Sequence, residues 1–454
     1  MNYVQVGFAK CNINPPMGHA IYGYYVPRFV KGVLDDVEVG AMVLICGEER
    51  IALVSVDACG VEKSLIDTYA AAVTQATGIP SKNVVISATH SHTGGLLVPK
   101  NEMFAADDAM THSYAAFVGE RVVEAVVAAL ADVKPARMGY IVGQAPARVA
   151  YIRRYKMKDG TTMTCPPIND PNIDHPIGTL DQRVNVLRFD REDAPTILLV
   201  NYGLHADTVN GELVSADWPG VMRRTLEKTL DGVQTLFMNG AEGDVGSTNV
   251  YVKPGDGDMN DTEISFDNEM KSPGMARFVG RALAGTVLQV YDKVQYVDVD
   301  HIGVLYQEVP VFANRPTAEE AVLAHRYKDL HEAGRDDLIP YSAMELTTVV
   351  AEALRMCRLE NGPEYFYLPL TAVRIGGVAL LGIPGEPFTE VGVKIKDTDG
   401  FDMILPCSLT GGDYGYYPVQ SAYDEGGYET RTSPYRAGVA EAIVQAAKEM
   451  LAKI

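Results

Sequence analysis

The chain is poor in the features that assign a protein quickly. Its 454 residues include only six cysteines (Cys11, Cys46, Cys59, Cys165, Cys357 and Cys407), scattered and without a Cys-x-x-Cys pair. That spacing argues against a disulfide framework and for free, mostly buried thiols in a reducing compartment. No apolar stretch approaches the length that spans a bilayer, so no stable membrane insertion is expected. The opening residues, Met1 to Phe8, lack a basic region followed by an apolar one, so no signal peptide is expected and the location reads as cytoplasmic. Positive charge is also scarce: 39 Lys and Arg stand against 59 Asp and Glu, a formal net charge of -20. Nucleic acid is therefore excluded as a partner on electrostatic grounds, and an anionic substrate would need a local basic pocket. There is no internal repeat and no low-complexity tract.

What remains is the composition of an ordinary globular enzyme, 47% hydrophobic and 22% charged, with a length that affords a sizeable core. The expected partner is a small-molecule substrate; a homo-oligomer stays open. Histidine is sparse, 9 in all, yet two fall in Thr89-His90-Ser91-His92-Thr93-Gly94-Gly95. This segment follows Val84 to Ala88, an apolar run that reads as a buried strand. If the strand continued through them, both imidazoles would face one cleft, because alternate strand residues point the same way. Imidazole is both a common metal ligand and the acid–base group of neutral pH. A hydrogen-bonded pair in a turn is the bland alternative.

Periodicity predicts an α/β layered fold, with mixed β-sheets flanked by helices. Strands are expected at 41–45, 51–56, 84–88, 196–201, 233–238 and 403–409, and a hairpin at 372–381 through Gly376-Gly377. Helices are expected at 63–77, 114–133, 218–230 and 437–453. Two more, at 317–333 and 342–361, form a candidate inserted lobe at about 315–362 in a single domain, 1–454. Lys253 to Ser272 is acidic and Gly-rich and reads as a long surface loop.

Strand ends carry the other candidates. His205 follows the strand at 196–201. Glu386 lies in Gly382-Ile383-Pro384-Gly385-Glu386, past another strand. Tyr414 to Glu429 is rich in tyrosine and glycine. Ligands of α/β folds bind outside the carboxyl ends of strands, and two imidazoles with a carboxylate suit a catalytic zinc. Asp57 and Asp217 are candidates to orient a ligating histidine, and Asp217 equally a helix N-cap. Asp244, Ser247, Thr248 and Asn249 offer hydrogen bonds to a hydroxylated or charged ligand.

Taken in this order, the segments resemble the neutral/alkaline, non-lysosomal ceramidase family and its shorter bacterial relatives. The resemblance runs from Val6-Gly7-Phe8 to the last helix. It implies a neutral-ceramidase-like catalytic domain and a zinc-dependent hydrolase of an amide (N-acyl) bond. It implies His90, His205, Glu386 and Tyr416 as zinc ligands, and His92, Arg153 and Tyr428 as catalytic residues, all three candidate donors to an oxyanion, with His92 alternatively a proton shuttle to the leaving group. Two departures matter. The immunoglobulin-like C-terminal domain of the ceramidases has no counterpart here. The family's Gly-Asp/Asn-x-Ser-Pro-Asn segment reads Gly243-Asp244-Val245-Gly246-Ser247-Thr248-Asn249, with the serine displaced and the proline gone. These departures favour a smaller, soluble substrate over long-chain ceramide. The alternatives are a zinc-dependent esterase, lactonase or sugar-acting hydrolase or lyase on a polar small molecule, and a non-catalytic metal- or ligand-binding relative.

Overall fold

The computed structural model describes residues 4–98, 108–252, 263–265 and 267–454. The chain opens with β1 (Gln5–Asn12), β2 (Glu38–Cys46), β3 (Glu49–Val56), α1 (Lys63–Thr77), β4 (Val84–Ala88) and α2 (Asp108–Ala131). Next come β5 (Lys134–Gln144), β6 (Arg183–Arg191), β7 (Thr196–Tyr202), α3 (Asp217–Thr229), β8 (Val233–Asn239) and α4 (Pro273–Val290). These strands build a nine-stranded mixed sheet in the order β8-β7-β6-β5-β1-β2-β3-β4, with Gln295–Val297 pairing β5 as the ninth. Antiparallel pairs fill its middle. A parallel pair closes each end, β7 with β8 and β3 with β4. Parallel neighbours need a crossover, and α3 and α1 supply them.

A second sheet runs β9 (Ile302–Phe312), β10 (Tyr365–Ile375), β11 (Val378–Gly382) and β12 (Met403–Cys407), paired in that order. β10 and β11 form a hairpin turned at Gly376, whose φ of 57° suits a residue without a Cβ. β11 and β12 are parallel and joined through α7 (Thr389–Lys396). Between β9 and β10 stand α5 (Ala318–Glu332), which starts at a Thr317–Glu320 capping box, and α6 (Ala343–Leu359). α8 (Val439–Leu451) follows last.

The layers follow from strand alternation. On β2, Val39, Ala41 and Val43 enter a core shared with α1 and α2. Met42 and Leu44 point the other way, into a core that also holds Val373, Leu380 and Leu405 of the second sheet. The far side of that sheet, with Leu370, Ala379 and Leu381, packs on α7 and α8. The order is helix, sheet, sheet, helix. Strands dry on both faces read as continuous apolar runs, which is why β3, β4, β7 and β8 stand out in the sequence.

Some elements differ from expectation. α2 begins at Asp108, six residues early. α4 is unanticipated; its Gly280 has no room for a Cβ, which would meet Val221 Cβ at 2.6 Å and the Trp218 carbonyl at 2.7 Å, so this glycine buys the close approach of α4 to α3. The Lys253–Ser272 segment is not wholly a surface loop. Residues 253–262 and 266 lie outside the described residues, but Glu263–Ile264 pairs with Met270–Lys271, and Asp267, Glu269 and Lys271 are buried. Charge there reads as solvated, whereas the charges satisfy one another in the interior. All six cysteines are free thiols, four buried and two half-buried. Among the described residues no helix is long and apolar enough to cross a membrane.

The strand ends meet at one place. Ala88 N donates to Leu409 O, Ser408 N to Asn239 O, and Asn201 Nδ2 to Pro406 O at 2.9 Å. The carboxyl ends of β4, β7, β8 and β12 are thus laced together, and the segments leaving them share one space.

Candidate metal centre and its cavity

His90 leaves β4 by a turn, not as a continued strand. The strand stops at Ala88, and His90 adopts φ 68°, the left-handed region that a side chain rarely enters. Such backbone costs on the order of 1–3 kcal/mol and persists where its surroundings enforce it. Here Thr89 N donates to Val56 O, Thr89 Oγ1 to Asp57 Oδ1, and Ser91 Oγ to Ser215 O. The turn still brings His90 and His92 together, edge to face with ring centroids 4.6 Å apart.

His205 follows β7, with its carbonyl held by the Trp218 indole N–H at 2.9 Å. Glu386 follows β11; its N–H donates to Gly415 O, and Glu386–Pro387 pairs in parallel with Tyr416–Tyr417. Gly243 lies so close beneath that an added Cβ would stand 2.5 Å from Glu386 O.

Three acceptor atoms converge. His90 Nε2 lies 3.4 Å and His205 Nε2 3.2 Å from Glu386 Oε2, all three side chains buried. Both imidazoles give their other nitrogen to a backbone carbonyl: His90 Nδ1 to Cys59 O at 2.7 Å and His205 Nδ1 to Glu242 O at 2.9 Å. Those bonds fix the Nδ1–H tautomer and turn each Nε2 lone pair inward. Glu386 Oε2 itself accepts no well-formed hydrogen bond. A cation placed between these atoms would satisfy them together, and two imidazoles with a carboxylate are a donor set that suits zinc. Burial opposes the imidazolium of His90, but Glu386 and then Cys59 outweigh it and raise its pKa well above the ordinary value. Burial also pushes Glu386 upward, and His90 and His205 overcome it to leave the carboxylate ionised. His205 falls to about 4 through burial and then Arg153.

Tyr416 stands beside Glu386 in the parallel pair, and its hydroxyl accepts from Arg153 Nη2 at 3.1 Å. Arg153 is held by Glu429 Oε1 at 2.8 Å and Gly243 O at 3.0 Å, and its Nη1 reaches His205 Nε2 at 3.2 Å. Arg154 turns away to Glu425 and Gly426 O. The rings of Tyr428 and Tyr416 meet edge to face, centroids 5.6 Å apart.

Above the centre opens a cavity of about 620 Å³. His90, His92, Glu386, Tyr416 and Tyr428 form its floor, Tyr22, Tyr25 and Asp413 one side, and Leu354, Arg355 and Arg358 of α6 another. Arg153 is not among the residues that line it; its guanidinium reaches the site at His205 and Tyr416. Asp244, Thr248 and Asn249 do not line it either. Asp244 accepts from Thr389 N and Oγ1 at the start of α7, Thr248 Oγ1 from Met270 N, and Asn249 Oδ1 from Tyr251 N. Their polarity is spent on the fold.

Asp57 and Asp217 touch no imidazole. Asp57 pairs with Arg223 at 2.6 Å, and Asp217, the first residue of α3, binds the N–H groups of Thr208 and Val209. Backbone carbonyls orient His90 and His205 instead. Besides Glu386, a second carboxylate faces a histidine of the site: Asp207, 3.5 Å from His92 Nδ1. Behind it Lys271 Nζ, fully buried, donates to Asp207, Asp267 and the Tyr24 hydroxyl. Asp207 follows His205 by two residues and was visible as a signal; Lys271 was hidden in an apparent loop.

No family model matches the chain, and no curated protein matches it in sequence. Solved structures do. The fold is neutral-ceramidase-like: mixed layered sheets flanked by helices, shared along nearly the whole chain. The neutral ceramidase from Pseudomonas aeruginosa superposes with a TM-score of 0.71 at 16% identity, over 99% of this chain and 74% of that one. A ceramidase complexed with C2 gives 0.73 at 18% identity, over 99% and 75%.

Proposed function

We propose that this protein is a zinc-dependent amidohydrolase that cleaves the N-acyl bond of a small, soluble compound. The observation that carries the reading is the convergence of His90 Nε2, His205 Nε2 and Glu386 Oε2, with both Nδ1 atoms tied to backbone carbonyls. The fold shared with two ceramidases makes amide cleavage the leading chemistry. His90, His205 and Glu386 would hold the metal, with Tyr416 beside them. When bound, zinc supplies Lewis acidity and brings the pKa of a water to about 7.

The residues of the chain do the rest. Tyr428, on the cavity floor, donates its hydroxyl toward the amide oxygen as charge develops there. Arg153 holds the Tyr416 hydroxyl in place and biases His205 toward its neutral, ligating form. His92 is neutral, its pKa lowered by burial and then by His90 and His205. With Nδ1 turned to Asp207, its neutral Nε2 faces the centre and can take a proton from the attacking water and pass it to the leaving nitrogen. Overall the C–N bond breaks, hydroxide adds to the acyl carbon and the amine takes the proton. The cavity volume falls within the range of about 300–1,000 Å³ usual for small-molecule sites. Tyrosines supply much of its wall.

The test is metal analysis of purified protein, then amine release from N-acyl amides of increasing chain length, with esters and glycosides as controls. Chelation should abolish turnover and zinc restore it, with short chains preferred. Turnover that survives exhaustive chelation overturns the metal role. A rate that climbs steadily with acyl length restores ceramide as substrate.

A further inference from the structure

We propose that Arg355 and Arg358 of α6 form a carboxylate-binding wall of this cavity, so that the substrate is a small N-acyl compound bearing a carboxylate away from the scissile amide. The inference rests on the amidohydrolase reading and names its substrate class.

Arg355 is 5% exposed. Its Nε donates to Arg431 O at 2.9 Å and its Nη1 to Asn314 O at 2.5 Å, which leaves Nη2 without a protein partner. Among the described residues no carboxylate pairs with it. Arg154, Arg191 and Arg223 are similarly buried, and each is paired with an acid. A buried guanidinium left unpaired is costly. The acids nearest Arg355 are engaged elsewhere: Glu352 with Arg431, and Glu320 in the capping box with Thr317. Arg358 follows three residues later on the same cavity wall, exposed and likewise without an ion-pair partner among the described residues.

Two like charges side by side repel one another, and the arrangement gains stability when an anion enters. Guanidinium forks match carboxylate geometry. A single carboxylate suits the site better than a multiply charged group, because Asp413 and Glu386 already place acids in the cavity. In a chain of net charge -20, this wall is the local basic pocket that an anionic substrate requires. Leu354 on the same wall can cover the carbon chain between the two polar ends.

The experiment compares 4-acetamidobutyrate with N-propylacetamide, its counterpart without the carboxylate, on the zinc-loaded protein. Calorimetry reads binding and amine release reads turnover. The carboxylate probe should bind at least about tenfold more tightly, as expected for a charge-assisted pair. Arg358→Ala should bring the two probes within about twofold of each other. Arg355→Gln should do the same, and because Arg355 also ties down two carbonyls, its fold must be checked. Arg358 is exposed and carries the decisive test. Equal binding of the two probes, or a preference that survives Arg358→Ala, overturns the inference. Tight carboxylate binding without amine release supports this wall and sinks the hydrolase reading. Equal turnover of both probes does the reverse.

Discussion

Replacing Lys271 by methionine unbalances the buried charges beside His92. Lys271 Nζ lies 2.6 Å from Asp207 Oδ2, 2.6 Å from Asp267 Oδ2 and 2.8 Å from the Tyr24 hydroxyl, so all three of its protons are engaged. At an effective dielectric constant of about 20, each close pair is worth about 6 kcal/mol of Coulomb energy. Desolvation of the ammonium and its partners cancels most of that. Methionine fills similar volume but leaves Asp207 and Asp267 buried without their cation, and the expected loss is about 3–5 kcal/mol of unfolding free energy. The dependence on pH has a definite sign. Without the lysine, burial of the Asp207 and Asp267 carboxylates is no longer offset by a cation, and burial penalises the charged form. Stabilisation from such a group is complete below the unfolded pKa and is lost as pH climbs through the folded one. The variant should therefore lie nearest the wild type at about pH 5 and furthest from it at about pH 8. Urea unfolding of the metal-loaded proteins at both pH values measures this, and adding Asp207→Asn and Asp267→Asn should recover part of the loss. A cost below about 1 kcal/mol, the scale of an exposed pair, or a deficit that grows toward low pH, refutes the reasoning.

His90→Ala should empty the site of zinc, whereas His92→Ala should keep the metal and lower kcat; metal content by mass spectrometry separates them, and equal metal loss means the two roles are misassigned. Gly243→Ala should weaken zinc binding by about 10–100-fold while the protein stays folded, because its Cβ would stand 2.5 Å from the Glu386 carbonyl; a competition titration with unchanged affinity counts against the tight seating of Glu386. Glu269 stands at about 7, raised by burial, drawn back by Lys271 and pushed up again by Asp267 and Asp207. A raised acid stabilises the fold while protonated, so wild-type stability should fall by at most about 3 kcal/mol as pH rises from about 4.5 to about 7. Glu269→Gln should flatten that slope in urea titrations, and an unchanged slope assigns the effect elsewhere.

His90, His205 and Glu386 could be picked out of the sequence because each follows an apolar run buried on both faces, and a polar residue at such a strand end is conspicuous. What the sequence could not convey was pairing across distance. Asp267, Glu269 and Lys271 read as solvated charge because Asp207, some sixty residues earlier, is what makes their burial tolerable. α4 was missed because its three glycines weaken the helical signal, while the contact of Gly280 with α3 exists only in three dimensions. The strand expected to carry His90 and His92 in alternation gives way to a left-handed turn, which no periodicity announces. Asp244 and Thr248 looked available to a ligand, but each is consumed by a backbone N–H of a distant segment. Arg355 and Arg358 are ordinary helix residues until the fold sets α6 beside the cavity that His90, His92 and Glu386 line.

That placement separates two tasks along the chain. The residues proposed to hold the metal come from strand ends locked together by the two sheets. The wall bearing Arg355 and Arg358 comes from α6, which, with α5, is strung between β9 and β10. Those strands stay in register from Ile302 opposite Ile375 to Phe312 opposite Tyr365, so the sheet treats everything in between as one oversized turn. Such a turn can be lengthened, shortened or exchanged without disturbing a single ladder bond. The architecture thus pairs a fixed chassis with an interchangeable cassette, in which new selectivities can be tried by grafting residues 318–359, provided the graft keeps Glu345, Glu352 and Arg355, which hold Arg431 and with it the segment bearing Tyr428.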